Sequence, residues 1–538
     1  YLIEYPYECS EQLFNRYYSN ILAMHIINSS PKIKEVFETW KNLQPDAFLS
    51  NLEKNQELKS IIIEETPWLL DAKDETTRKR RIGILFEVNK MNGEIEKIMK
   101  KLEELQSSNG GFAWFKGMKE NVYITQYIVT GIGHLAHLKV IDLDKEKKLN
   151  SMVKKAVSYI DNQMKIDYDW LLKAKIKDKL DLSQNQIGYY HINYFYARSF
   201  FKNIEVSSSN EEAFNYFRWQ IKTYWNSYLY NKYFLGLIAL GLYRYGEDIP
   251  KKFHSTFNKH KMKNYGSENI PEKIVTSLKE SALYSDELGM YWKADWGFYW
   301  YQLPIETYAL MIELFSEAAK DNDSVDGLKT YLLKQKQTSD WGTTKGTADA
   351  IYALLLQGDN WLASESLVEI TLGNTKIEPP KDIEAGSGYF KISYNEDKIT
   401  KDMGKVTLVK KDKGVSWGAL YWQYFENLDK ITKAETPLKL DKKLFIENNT
   451  PSGKVIVPIE KQKIKIGDKI IVRIELRVDR DMEYVHMKDQ RASALEPVNV
   501  LSRYKYQDGL GYYESTRDTA TNFFFDYLPK GTYVFEYP

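Results

Sequence analysis

From Cys9 onward, apolar and aromatic residues recur at Phe14, Tyr17, Tyr18, Ile21, Met24 and Ile27. That spacing of three and four predicts a helix whose first turn follows the cysteine. Helical patterning continues to about residue 360, broken by short loops carrying Gly, Trp and Tyr. Such loops are Gln106–Trp114, Ala294–Trp300 and Gln335–Gly342. Loop-plus-helix units that recur without strict period, with threonines at helix starts (Thr307, Thr347), predict helical hairpins stacked around a ring. Residues 1–360 are therefore expected to form an α/α toroid. Beyond this the period changes to two: Leu367–Leu372, Tyr389–Tyr394, Lys405–Lys410 and Gly418–Phe425 alternate as strands do. Val455–Pro458, Ile470–Leu476 and Thr532–Tyr537 then predict a complete β-sandwich over 431–538. The expected class is multidomain α + β, with 361–430 as a smaller β-region between toroid and sandwich.

Length agrees with several domains, because a single core stops growing near 250–300 residues and the chain has 538. Lys plus Arg (75) nearly balance Asp plus Glu (74), so no field for nucleic acid is implied. No apolar run is long enough to span a bilayer.

The sequence has one cysteine, which excludes an intrachain disulfide framework and any multi-thiolate metal site. It sits in Tyr5-Pro6-Tyr7-Glu8-Cys9-Ser10-Glu11-Gln12. In a helical first turn, positions i and i+3 share a face, so the Cys9 sulfur and the Gln12 carboxamide can meet. A thiolate that attacks the carboxamide and expels ammonia leaves an internal thioester, a stored acylating agent. A lysine amine would take the Gln12 acyl group and release Cys9, whose thiolate a helix N-terminus stabilises. Pro6 suits a position at or before the first turn. Glu11 is expected to cap or orient the loop, as acids are favoured in a first turn. The competing reading is a small buried hydrophobe without chemistry.

Tyr-Pro-Tyr-x-Cys-x-Glu-Gln resembles the thioester signature of the α2-macroglobulin and complement family, with Glu8 standing where the usual form has glycine. Asn109–Phe115 with Tyr123–Ile128, Ile305–Leu310, Trp341–Ala348, Leu495–Asn499 and Phe524–Tyr533 resemble further segments of the bacterial type, in the family's order. The resemblance implies a toroidal thioester domain, then the C-terminal half of a CUB-like β-domain (361–430) and a macroglobulin-like sandwich (431–538). The first half of the CUB-like domain and the bait segment would precede Tyr1. It implies a protease inhibitor rather than an enzyme, acting in host defence. Attacking proteases would be trapped covalently through their lysine amines by Cys9 and Gln12, with Pro6, Tyr7 and Glu11 supporting the motif. It also implies an exported, periplasmic or envelope protein with a lipid anchor outside these residues, and no cofactor, metal or nucleic-acid partner. In bacterial relatives an aromatic side chain of the last β-domain covers the bond, and Tyr512 or Tyr513 in Gly509–Glu514 is the expected shield.

Complement members that favour hydroxyl targets use a histidine in the loop before Ile305; none lies between Ser281 and Pro304, so direct aminolysis is expected. His134 and His137 are spaced as half of a metal site but are expected to be structural, since a site needs three or four ligands. Other readings stay open: an inactive thioester module with a structural or adhesive role, or a toroidal enzyme of the terpene-cyclase or glycosidase kind. Against the cyclase, the sequence has neither D-x-D-D nor D-D-x-x-D.

Overall fold

The structure is a computed structural model, and it describes residues 9–29, 88–285, 288–292, 303–336, 341, 343–356, 368–380, 389–411, 416, 418–427, 430–432, 436–451 and 453–538. Pro6, Tyr7 and the loop 294–300 lie outside the described residues. Two compact units divide the chain: the described residues up to Ser416 form one, those from Gly418 the other. The sequence-based boundaries lie instead at 360 and 430.

The first unit is helical as far as Leu355. Its helices are α1 (Ser10–Ser29), α2 (Val88–Leu105), α3 (Val122–His137), α4 (Lys147–Asp178), α5 (Tyr189–Ser199) and α6 (Glu211–Tyr224). They continue as α7 (Lys232–Tyr245), α8 (Lys251–Asn258), α9 (Ile270–Glu280), α10 (Pro304–Leu314), α11 (Asn322–Lys336) and α12 (Thr344–Leu355). Several starts are written in the sequence. Asn121, Asn231 and Thr343 accept the N–H of Ile124, Phe234 and Gly346 at 3.2, 3.1 and 2.9 Å, while Pro271 and Pro304 occupy first-turn positions of α9 and α10.

Six of these helices pack in a closed cycle: α1 on α3, α3 on α5, α5 on α7, α7 on α10, α10 on α12, and α12 back on α1. Of the others, α2 packs on α1, α4 on α3, α9 on α7, α11 on α10 and α6 on α4 and α7, while α8 packs on α6. Inner helices such as α3, α7 and α10 are buried along most of their length, as helices with neighbours on every side must be. A short hairpin of β1 (Leu283–Ser285) and β2 (Gly289–Tyr291) packs on α11.

The following β-region is smaller than the alternation predicts. Strands β3 (Glu369–Leu372), β4 (Thr375–Ile377) and β5 (Val406–Val409) form an antiparallel sheet in the order β4-β3-β5. Leu372, Ile377 and Met403 are its only fully buried apolar cluster among the described residues. Tyr389–Tyr394 and Gly418–Phe425, both expected as strands, have no ladder. Alternation supplies a face, but an extended segment becomes a strand only where another backbone pairs with it.

The second unit is a sandwich of two four-stranded antiparallel sheets, in the orders β10-β11-β12-β9 and β13-β8-β6-β7. The strands are β6 (Leu438–Thr450), β7 (Gly453–Pro458), β8 (Lys469–Val478), β9 (Met482–Gln490), β10 (Arg503–Gln507), β11 (Leu510–Thr516), β12 (Ala520–Leu528) and β13 (Gly531–Tyr537). Ile474, Leu476, Val478, Phe535 and Tyr537 of one sheet meet Leu510, Tyr512, Phe523, Phe525 and Leu528 of the other, the interdigitation of alternate residues that makes a sandwich core.

Candidate functional site

Cys9 stands immediately before α1, and its carbonyl accepts the Leu13 N–H at 2.9 Å, so it is the residue that caps the helix. Gln12, three residues on, turns back: its side-chain carbonyl accepts the Cys9 N–H at 3.2 Å. This is half of a capping box, and it folds the carboxamide over the residue that carries the thiol. Ser10 fixes the turn from below. Its N–H donates to the Trp114 carbonyl at 2.9 Å, and its hydroxyl donates to that of Ala113. Both acceptors belong to the Gly-Gly-Phe-Ala-Trp loop, which bridges to Gln106 and Glu120 in short antiparallel pairs. Cys9 and Ser10 are buried, Gln12 half-buried.

Glu11 reaches into the protein. Its Oε1 accepts the Asn15 amide and the Thr344 hydroxyl, each at 2.6 Å. Its Oε2 lies 4.0 Å from the Cys9 sulfur. Asn15 is itself held by the Tyr127 hydroxyl at 2.6 Å. Thr344 begins α12, so one carboxylate joins the two helices that close the cycle. Asn15, Thr344 and the Ala113 and Trp114 carbonyls were not picked out from sequence as site residues, although the motifs containing the loop and Thr344 were visible there as helix-start patterns.

Burial pushes the Cys9 thiol above its ordinary pKa, while the backbone N–H groups of Gln12 and Glu11 pull it down. The helix N-terminus thus acts in the expected direction but is outweighed, and the thiol is the resting form. Burial also raises Glu11, against the hydrogen bonds from Thr344 and Asn15 and the charge of Lys345.

Lys345, next along α12, contacts Asp349 at 2.8 Å and lies 4.0 Å from Glu306. It faces a cavity of about 40 Å³ between the inner helices, walled by Tyr18, Tyr123, Tyr189 and Tyr233 among others. The hydroxyls of Tyr18 and Thr130 in that lining have no partner among the described residues, and such a space takes a few waters.

His134 and His137 are not brought together with other ligating residues: among the described residues no group of three or more His, Cys, Asp or Glu could hold a metal. His134 is buried, stacks on Tyr352 at 3.7 Å and bonds the Tyr196 hydroxyl at 2.9 Å.

The two tyrosines named as shields separate cleanly. Tyr512 points into the sandwich core against Phe523, Phe525 and Phe535 and is 1% exposed. Tyr513 lies on the opposite face of β11, half-buried against Tyr504 and Phe524.

Among the described residues no helix is long and apolar enough to cross a membrane. A comparison with curated proteins finds no sequence match. Among solved structures, the chain is similar to trypsin-activated alpha-2-macroglobulin from Escherichia coli (11% identity, TM-score 0.37, 84% of this chain and 27% of that one). It is similar also to a point mutant of Salmonella alpha-2-macroglobulin (12%, 0.33, 100% and 28%) and to Escherichia coli alpha-2-macroglobulin activated by porcine elastase (11%, 0.30, 84% and 35%). The chain thus spans about a quarter to a third of the length of those structures. Residues 438–538, nearly the whole sandwich unit, match the model of the bacterial alpha-2-macroglobulin MG10 domain. On that match, the sandwich of residues 438–538 is of the bacterial alpha-2-macroglobulin MG10 type.

Proposed function

We propose that Cys9 and Gln12 form an internal thioester with which the protein acylates, and so covalently traps, proteases that attack it. The observation that carries this is the Gln12 carboxamide turned back onto Cys9 in a buried first turn. Formation joins the sulfur to the Gln12 carbonyl carbon and releases ammonia. Use transfers that acyl group to a lysine amine and returns the thiol. Each chain can do this once, so it is an inhibitor and not an enzyme. The similarity to trypsin- and elastase-activated relatives agrees with proteases as partners.

In the same reading, the cyclic packing order of the helices supports an α/α toroid for residues 1–360. The three-stranded sheet would be what this chain contributes to a CUB-like domain over 361–430, and 431–538 the terminal macroglobulin domain. Tyr513, whose ring lies outside the sandwich core, is the better candidate for shielding the bond than Tyr512. A periplasmic or envelope location with a lipid anchor, and a role in defence, complete the proposal.

Intact mass with and without methylamine, with thiol titration on the same samples, tests the reading. The expected result is a chain lighter by one ammonia, which gains methylamine and one titratable thiol together. Cys9→Ala and Gln12→Ala should do neither. A full-mass chain with a free thiol and no methylamine uptake would leave a structural module. A mass matching glutamate at position 12 would mean a bond formed and hydrolysed.

A further inference from the structure

The two oxygens of Glu11 do different things. Oε1 is fixed by two donors on different helices, Asn15 of α1 and Thr344 of α12. Oε2 is directed at the Cys9 sulfur at 4.0 Å. An acid whose purpose was to favour the first turn of a helix would serve from an exposed position and would need neither anchor. Here the carboxylate is drawn inside, where holding a charge is unfavourable, and is turned towards the one thiol of the chain. At 4.0 Å the contact is longer than proton transfer requires, but a carboxylate anchored beside a thiol that burial keeps protonated needs only a small approach to act as its general base.

We propose that Glu11 carries the proton in the acyl transfer, taking it from Cys9 as the thioester forms and returning it to the sulfur as the thioester is used. This rests on the thioester reading of Cys9 and Gln12. In formation, Oε2 accepts the thiol proton while the sulfur attacks the Gln12 carbonyl carbon. The protonated carboxyl then gives that proton to the departing amide nitrogen, which leaves as ammonia, and Glu11 is again a carboxylate. In aminolysis the order reverses. The incoming amine attacks the carbonyl carbon, Glu11 takes a proton from its nitrogen, the carbon–sulfur bond breaks, and the proton goes to the sulfur. No other reactant is needed in either direction. The raised pKa of Glu11 supports the assignment, since a carboxyl group nearer neutrality exchanges a proton more readily in both directions.

Glu11→Gln is the discriminating variant. A glutamine keeps an oxygen for Thr344 and Asn15, so a purely orienting Glu11 would be replaced without loss. A proton carrier would not. In the full chain, with folding checked by thermal melting, Glu11→Gln is expected to slow both thioester formation, read as ammonia loss, and methylamine uptake by on the order of 100-fold. Formation and uptake within threefold of wild type would overturn the proposal. Should Glu11→Gln not fold, Thr344→Val carries the test, because it frees one anchor of Oε1 while leaving the acid. A clear slowing of methylamine uptake is then expected, and wild-type rates would overturn the assignment. If the wild-type chain never loses ammonia, the thioester reading itself fails, an outcome separate from either of these.

Discussion

Phe14 lies on Gly131, and this contact sets how closely α1 approaches α3. A Cβ at position 131 would overlap Phe14 Cε1 and come within 2.5 Å of Cζ. The ring has no easy retreat. It is 2% exposed, with Tyr17, Tyr18 and Tyr127 around it at centroid distances of 6.2, 6.1 and 6.0 Å. Overpacking of this sort costs about 1–3 kcal/mol, and Gly→Ala inside a helix returns about 1 kcal/mol. Gly131→Ala should therefore destabilise the helical unit by up to about 2 kcal/mol. At about 2–4 °C per kcal/mol for a unit of this size, its melting temperature falls by up to about 8 °C. Gly93 of α2 is the control, because a Cβ there meets nothing within 4 Å. Gly93→Ala should raise the melting temperature slightly, by up to about 1 kcal/mol of stability. Calorimetry of the three proteins side by side decides the matter. A Gly131→Ala melting temperature equal to or above that of Gly93→Ala would refute the packing argument. Since α1 carries Gln12 and is capped by Cys9, the proposed thioester predicts that the ammonia-light fraction of Gly131→Ala falls below that of wild type.

Glu313 is 1% exposed and pairs with Arg244 at 2.6 Å. Glu313→Ala should cost about 3–5 kcal/mol by denaturant midpoint, because the guanidinium stays buried with one partner fewer, whereas replacing both residues by apolar ones of similar volume should cost far less. Burial first, then the charges of Arg244, His137 and Lys345, hold His134 well below the ordinary histidine pKa. The unfolded chain takes up this proton near pH 6.5 and the folded one does not. The His134 contribution is therefore complete above about pH 6.5 and is lost below it by up to about 1.4 kcal/mol per pH unit. In His134→Gln, stability measured between pH 7.5 and 5.5 should lack that slope; an unchanged slope would show that His134 is not its source. The Tyr512 hydroxyl is buried without a partner among the described residues. Tyr512→Phe should therefore be neutral or stabilising, while Tyr512→Ala opens the core at about 3–5 kcal/mol; a Phe variant that melts lower than wild type would show a hidden partner.

Whatever is local in this molecule could be read from its sequence. The first turn at Cys9 and Gln12, the starts of α10 and α12 near Thr307 and Thr347, and the sandwich strands β7, β8 and β13 all follow from neighbours within four residues or from a period. The failures lie where a distant partner decides. Tyr389–Tyr394 alternates as well as many strands do, yet is not in a strand of any sheet among the described residues, and nothing in its own composition says so. Thr344 is 333 residues from Glu11 and became a site residue only when α12 returned to α1. The choice between Tyr512 and Tyr513 was open to reasoning: with Leu510 and Glu514 on its own face of β11, Tyr512 shares the parity of an apolar residue likewise turned inward.

The position of the Cys9–Gln12 turn within the helical cycle has an energetic consequence. A closed ring of helices has one contact that joins the beginning of the described chain to the end of its helical segment, and here that contact is α1 with α12. Joining segments so far apart incurs the largest loop-closure entropy of any inner pair, so this seam is the one whose opening releases the most chain freedom. The bonds that hold it include the Glu11–Thr344 hydrogen bond, made by one of the two residues between Cys9 and Gln12. Loosening the seam therefore displaces Glu11 from its Thr344 anchor and with it the oxygen that lies by the Cys9 sulfur. For the thioester proposed above, the stability of the ring and the placement of its proton carrier are thereby linked. Gly131→Ala, which presses on α1 from the α3 side and leaves the Glu11–Thr344 bond in place, should shorten the lifetime of the thioester, whereas Thr344→Val should slow its aminolysis.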